Sequence, residues 1–191
     1  ASRLYGVEAG QVSPEMRRTA KAVNFGIVYG LSPMGLSREL GMSIEEAKSF
    51  IEAYFNLFSG VRHFRETALL EAREKGWVST LLGRKRPIPG INSSNKQKRG
   101  AAERVAINTI IQGSAADLIK VAMVKARRRL EEMGLRARLL IQIHDELLFE
   151  LPEGELATTT HVLQEVMTQA ISLRVPIRVN VKVGKNWMEV E

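Results

Sequence analysis

The chain has 191 residues, no cysteine, 45% hydrophobic and 26% charged residues, and a formal net charge of +7. That balance belongs to a globular chain able to bury a core and points away from disorder; without cysteine there are no disulfides and no thiolate metal sites. No apolar run approaches the about 20 residues of a membrane helix, and the opening ASRLYGVEAG lacks a signal-peptide layout.

In chain order, the first predicted element is an amphipathic helix over RRTAKAVNFGIVYG, Arg17 to Gly30. Ser13 is a good N-cap, Pro14 suits the first helical position, and Gly30 suits the stop. Arg17, Lys21, Phe25 and Tyr29 are spaced four apart, and each such step turns about 40° past a full turn. They form one drifting stripe with cations at one end and rings at the other. A nucleoside triphosphate has that layout, and the helix N-terminus favours phosphate near Arg17. An ordinary surface helix with Lys and Arg outward fits the same spacing. Gly26 sits mid-helix, where glycine costs roughly 1 kcal/mol relative to alanine; its missing side chain lets something approach closely.

A short segment, Leu31–Leu40, follows. Ser43 and Glu46 make a capping box that opens a helix to about Leu57. Ser59-Gly60 is expected to break it, and a further helix runs from Val61 to Lys75 and stops at Gly76. Trp77–Leu82 and Arg86–Ile88 flank Gly83 as a small hairpin, with Pro87 and Pro89 holding the second arm at an edge. Gly90–Asn95 reads as a polar loop. A helix is expected over Gln97–Ile111, disturbed at Gly113 and recapped by Ser114. Its continuation buries Ala115, Leu118, Ile119, Ala122, Met123, Ala126, Leu130 and Met133 and ends at Gly134. Strands Leu135–Ile143 and Leu147–Leu151 surround a tight turn, His144-Asp145-Glu146. A helix over Glu155–Ser172 and, after Pro176, an alternating strand Ile177–Val183 close the chain. The fold class is α+β: helices first, then an antiparallel sheet backed by helices.

Three clusters invite chemistry. The first is the stripe. The second is the acidic turn, either a solvated hairpin tip or a carboxylate held rigidly where a hard cation could bind. The third is basic: Arg84, Lys85, Arg86, Lys96, Lys98, Arg99 and Arg104 stand against Glu103 alone, a net +6 in 21 residues. That density suits a polyanion binder or a solvated loop. From its end onward, within Glu103–Lys120, Arg104, Asn108 and Gln112 recur at four-residue steps on one helix face. Arginine reaches phosphate, and the two amides can donate to minor-groove acceptors that every base pair offers. The same three residues also fit a merely exposed polar face.

Together these motifs resemble family A DNA polymerases, the bacterial DNA polymerase I type. The family's fingers pattern is R, three residues, K, three residues, F or Y, three residues and YG. Arg17, Lys21, Phe25, Tyr29 and Gly30 meet it. Its palm motif, HDE preceded by Q and apolar neighbours, is met by His144, Asp145 and Glu146, and AIN, QG and AAD recur within Glu103–Lys120. TLLGRKRPIP, Thr80–Pro89, is also similar. Ser114, the Asn92–Lys98 loop and phenylalanine at position 25 are mild departures or variants.

The resemblance implies template-directed DNA synthesis: nucleotidyl transfer from a dNTP to a primer 3′-hydroxyl by two Mg2+ ions, in replication and repair. It implies Arg17, Lys21, Phe25 and Tyr29 as nucleotide contacts, and Lys21 also as a general acid toward pyrophosphate. Asp145 is the implied metal ligand, with Glu146 secondary. Arg84, Arg86, Arg99, Arg104, Asn108, Gln112 and His144 are the implied DNA contacts. Residues 1–76 correspond to part of the fingers and 77–191 to distal fingers and palm. The implied partners are primer-template DNA and dNTP, with no membrane, and the implied state is a monomer, joined to the rest of the polymerase, in the bacterial cytoplasm at the nucleoid.

The chain contains only two aspartates, Asp117 and Asp145, and Asp117 does not match the family's upstream metal motif. Half of the two-ion site is therefore expected outside this chain, which reads as a C-terminal fragment cut within the fingers at Ala1 and ending naturally at Trp187–Glu191. The fragment alone is not expected to polymerise DNA. A non-catalytic DNA-binding module and a metal-dependent nuclease centred on Asp145 are the other classes; the nuclease lacks a second carboxylate cluster and a candidate base.

Overall fold

Serine hydroxyls set the starts of three early helices. In the computed structural model, which describes residues 1–190, a one-turn helix α1 (Ser2–Tyr5) is followed by α2 (Pro14–Val28). Ser13 Oγ accepts the Met16 N–H at 3.1 Å, and Pro14 opens the first turn. The same device starts α3 (Pro33–Leu40), where Ser32 Oγ accepts from Gly35 N–H, so the segment after α2 is a helix in its own right. The capping box of α4 (Ile44–Leu57) is complete: Glu46 N–H donates to Ser43 Oγ at 3.2 Å, and Ser43 N–H donates to Glu46 Oε2 at 2.8 Å.

The expected break at Ser59-Gly60 lies one residue earlier. Phe58 leaves helical geometry (φ −108°, ψ 61°), and Ser59 and Gly60 form the first turn of α5 (Ser59–Lys75). The ring of Phe58 packs on Tyr54, with centroids 4.8 Å apart, so its side chain is held at the bend. Gly76, at φ 76°, ends α5. Strands β1 (Trp77–Ser79) and β2 (Lys85–Pro87) then pair antiparallel, Trp77 opposite Pro87, in a hairpin shorter than expected.

The chain divides into two compact units, Ala1–Ile111 and Gln112–Glu191; Glu191 lies outside the described residues, and so does that end of the expected Trp187–Glu191 terminus. The first unit holds two apolar cores. Val23 and Ile27 of α2 meet Leu36, Ala47 and Phe55 in one. Ala68, Leu69 and Ala72 of α5 meet Val78, Ile88, Ile91, Ala102, Ala106 and Ile107 in the other. A fully buried side chain of the Leu or Ile class contributes about 1.5–3 kcal/mol, and Ile27 and Leu36 are of that kind.

Helix α6 runs unbroken over Lys96–Glu132, 37 residues. This corrects the expected disturbance at Gly113 and the recapping by Ser114. A glycine in a helix costs only about 1 kcal/mol, and here alanines and long aliphatic residues flank it on both sides. Asn95 caps the start, its Oδ1 accepting the N–H groups of Gln97 and Lys98 at 2.9 and 3.0 Å. The buried face also differs in detail: Ala115 and Met133 are exposed, while Ser114 and Asp117 are buried. Gly134, at φ 65°, ends the helix, with Leu135 N–H on Leu130 O and Gly134 N–H on Glu131 O, a Schellman arrangement.

In the second unit β3 (Arg138–Ile143) and β4 (Glu146–Glu150) pair antiparallel, with a bulge between Leu139 and Ile141. Glu146 is the first residue of β4, so the turn itself is His144-Asp145. Helix α7 (Leu156–Thr168) stops before the expected Ser172, and the carbonyls of Gln169 and Ala170 accept from Lys125 Nζ. Residues 177–183 form no strand, contrary to their alternation; Val181 and Val183 are exposed. Alternation marks which side chains would share a face, but a strand also needs a ladder partner. Among the described residues no helix is long and apolar enough to cross a membrane.

Candidate nucleotide and nucleic-acid site

Helix α2 separates its two roles by face. Val23 and Ile27 are buried in the core, while Arg17, Lys21 and Phe25 are exposed and Tyr29 is half-buried at the C-cap. The rings of Phe25 and Tyr29 lie 6.2 Å apart and only 14° from parallel. Lys21 Nζ stands 5.8 Å from the centroid of Phe25, within cation–π reach. The stripe expected from spacing is therefore a physical surface: a guanidinium, an ammonium and two nearly parallel rings, in that order along the helix. Phe25 is 46% exposed, so this surface faces outward and not into the core.

The close approach at Gly26 comes from within the chain. A Cβ there would meet Leu31 Cδ2 at 2.9 Å, because Leu31 folds back under the end of α2. Gly30, at φ 90°, turns the chain away, and Arg104 Cγ lies 2.9 Å from where a Cβ would stand. Arg104 is thereby packed against the aromatic end of α2. Tyr54 adds a tie that the spacing does not reveal: its hydroxyl donates to Asn24 Oδ1 at 2.7 Å. Burial pushes the Tyr54 phenol above its ordinary value.

The basic cluster is partly engaged within the first unit. Arg86 Nη1 donates to Thr109 Oγ1 at 3.0 Å, and Arg99 Nη1 donates to the Ser93 carbonyl at 2.8 Å. Arg73 takes up Glu103, the stretch's only acid, at 2.7 Å. Arg84, Lys85, Lys96 and Lys98 are exposed. Asn108 is half-buried, and its Oδ1 has no hydrogen-bond partner among the described residues. Gln112, one turn on, is exposed and opens the second unit.

The second unit carries the acidic turn. His144, Asp145 and Glu146 are all exposed at the tip of the β3–β4 hairpin, with Ile143 paired to Glu146 beneath them. His144 has φ 52°, the only positive φ outside glycine among the described residues. Such backbone costs about 1 kcal/mol or more for a side-chain-bearing residue. The amide of Gln142 donates to the His144 carbonyl. Among the described residues no three carboxylates or histidines come together as a ready metal cage. Asp145 and Glu146 offer two adjacent oxygen donors.

Comparison with known proteins accords with these motifs. The model of DNA polymerase family A matches residues 1–189. DNA polymerase I of Bacillus caldotenax is 49% identical over 191 residues, the whole of this chain and 22% of the relative. The enzymes of Geobacillus stearothermophilus and Bacillus subtilis are 48% and 47% identical over the same span. The chain thus spans about a fifth of the length of the curated relatives it matches. A solved structure, the POL domain of Pol1 from M. smegmatis in complex with DNA primer-template and dNTP, superposes with a TM-score of 0.93. It is 47% identical and is matched over 99% of this chain and 33% of that one. With sequence, fold and motif order in agreement over nearly its full length, the chain belongs to DNA polymerase family A.

Proposed function

We propose that this chain is the part of a template-directed DNA polymerase that receives the incoming nucleotide and supplies the acidic turn for its transfer. One observation carries the reading: the exposed stripe on α2, with Lys21 5.8 Å from the Phe25 centroid and the Tyr29 ring nearly parallel beyond it. In this reading Arg17 and Lys21 neutralise the triphosphate, and Lys21 gives a proton to departing pyrophosphate. Phe25 and Tyr29 face the base and sugar. Arg84, Arg86, Arg99 and Arg104 hold backbone phosphates, Asn108 and Gln112 donate into the minor groove, and His144 lies by the primer end. Residues 1–76 act as fingers and 77–191 as distal fingers and palm.

The donor set suits Mg2+, a hard cation that keeps several waters and takes one or two carboxylates. Asp145 would hold it, with Glu146 at the side. When bound, Mg2+ supplies Lewis-acid stabilisation of charge on the phosphoryl oxygens. A two-ion reaction takes its remaining carboxylates from outside residues 1–191, since Asp117 is buried on α6. The bacterial cytoplasm is the compartment this reading implies.

In a full-length family A polymerase carrying this sequence, Asp145→Ala should abolish primer extension while DNA affinity stays within about twofold. Near-normal turnover would refute the metal assignment. The basic stretch favours a second reading, a non-catalytic DNA-binding module. That module would show salt-dependent DNA binding with no triphosphate affinity and no extension.

A further inference from the structure

We infer that Gln142 is a positioning residue that fixes the central peptide of the His144-Asp145 turn and so sets the aim of the Asp145 carboxylate. The inference rests on the reading of Asp145 as a metal ligand given above. The hairpin has a two-residue loop between Ile143 and Glu146. Two turn types close such a loop, I′ and II′. Type I′ has positive φ at both loop residues, and type II′ has it only at the first. Here φ is positive at His144 and not at Asp145. The loop follows the second pattern, in which the first position ordinarily belongs to glycine.

The two types differ by a flip of the one peptide between the loop residues: the preceding ψ and the following φ change together by roughly 150–180°. That peptide bears the His144 carbonyl and the Asp145 N–H. The Gln142 side-chain amide donates to that carbonyl. Flipping the peptide would carry the carbonyl to the other face of the hairpin and break the bond. Gln142 therefore selects one state of a two-state element. Asp145 follows directly on that peptide, so the flip reverses the direction of its N–H and tilts its Cα–Cβ bond. A ligand whose direction must hold to a fraction of an ångström cannot tolerate it. Gln142 is itself exposed at the end of β3, opposite Leu147, and belongs to neither apolar core.

The test uses the full-length polymerase with Gln142→Met, which keeps length but removes the donor, and Gln142→Glu, which keeps shape and presents only acceptors at neutral pH. Both should lower kcat for nucleotide incorporation about 10- to 100-fold, the scale of a misplaced reacting group. Nucleotide KM, DNA affinity and melting temperature should stay close to those of the parent. Should one variant fail to fold, the other decides. Turnover retained within about twofold in a folded variant, or a loss confined to KM, overturns the inference. Asp145→Ala run alongside separates the causes. If it is inactive and the Gln142 variants are active, the positioning role alone fails; if it is active, the metal reading fails and the positioning role with it.

Discussion

Glu155 shows how one side chain can report the integrity of the second unit. Arg136 donates to it from its guanidinium Nε at 2.9 Å and from its backbone N–H at 2.7 Å. Those bonds, the guanidinium first, hold its carboxylate below the ordinary glutamate value of 4.5. A depressed folded-state value means the folded chain binds this proton less readily than the unfolded one. The resulting stability is therefore present above about pH 4.5 and is lost as pH falls through the folded-state value. Glu155→Gln should remove part of the acid-side fall in melting temperature, and unaltered pH dependence below 4.5 would show that the Arg136 bonds contribute nothing. Other residue-scale ties escape sequence reading because nothing local marks them. Tyr54 and Asn24 are 30 positions apart and meet only once α2 and α4 pack. Gln142 was visible as a neighbour of the acidic turn, but its bond to the His144 carbonyl depends on the turn type.

At the scale of elements, local signals carry through to the fold and non-local ones do not. Ser13, the Ser43–Glu46 box, Gly76 and Gly134 act within one turn of their own residues, so their helices begin or end where those residues predict. Gly113 misleads because the continuity of a helix is decided by the whole of α6, and residues 177–183 mislead because a strand requires a partner that spacing cannot supply. Glycines divide by the same logic. Gly30 is held at φ 90° with Arg104 where a Cβ would go, whereas Gly60 lies in helix α5 with open space around it. Gly30→Ala should destabilise the chain by about 1–2 kcal/mol from the left-handed backbone alone. Gly60→Ala should stabilise it by about 0.4–1 kcal/mol. Denaturant melts of the two variants check this; equal shifts of the same sign would contradict the account of how α2 is terminated.

For the molecule as a whole, the stripe on α2 was legible because helical period alone brings Arg17, Lys21, Phe25 and Tyr29 onto one face. The acidic turn was legible because strand-forming residues bracket it. The proposed metal site would need carboxylates beyond the acidic turn: the chain spans 22% of its relatives, and its other aspartate is buried on α6. On the proposed function, α2 recognises the triphosphate and Asp145 supplies one carboxylate to the metal. The most direct test is equilibrium binding of a deoxynucleoside triphosphate to the 191-residue chain, comparing the parent with Lys21→Ala and with Lys48→Ala, an exposed lysine of α4 off the stripe. Loss of one charged phosphate contact is worth about 1.5–3 kcal/mol, so Lys21→Ala should weaken binding by about tenfold or more and Lys48→Ala should leave it unchanged. Equal affinities for the parent and Lys21→Ala would contradict the assignment of α2 as the nucleotide-binding helix.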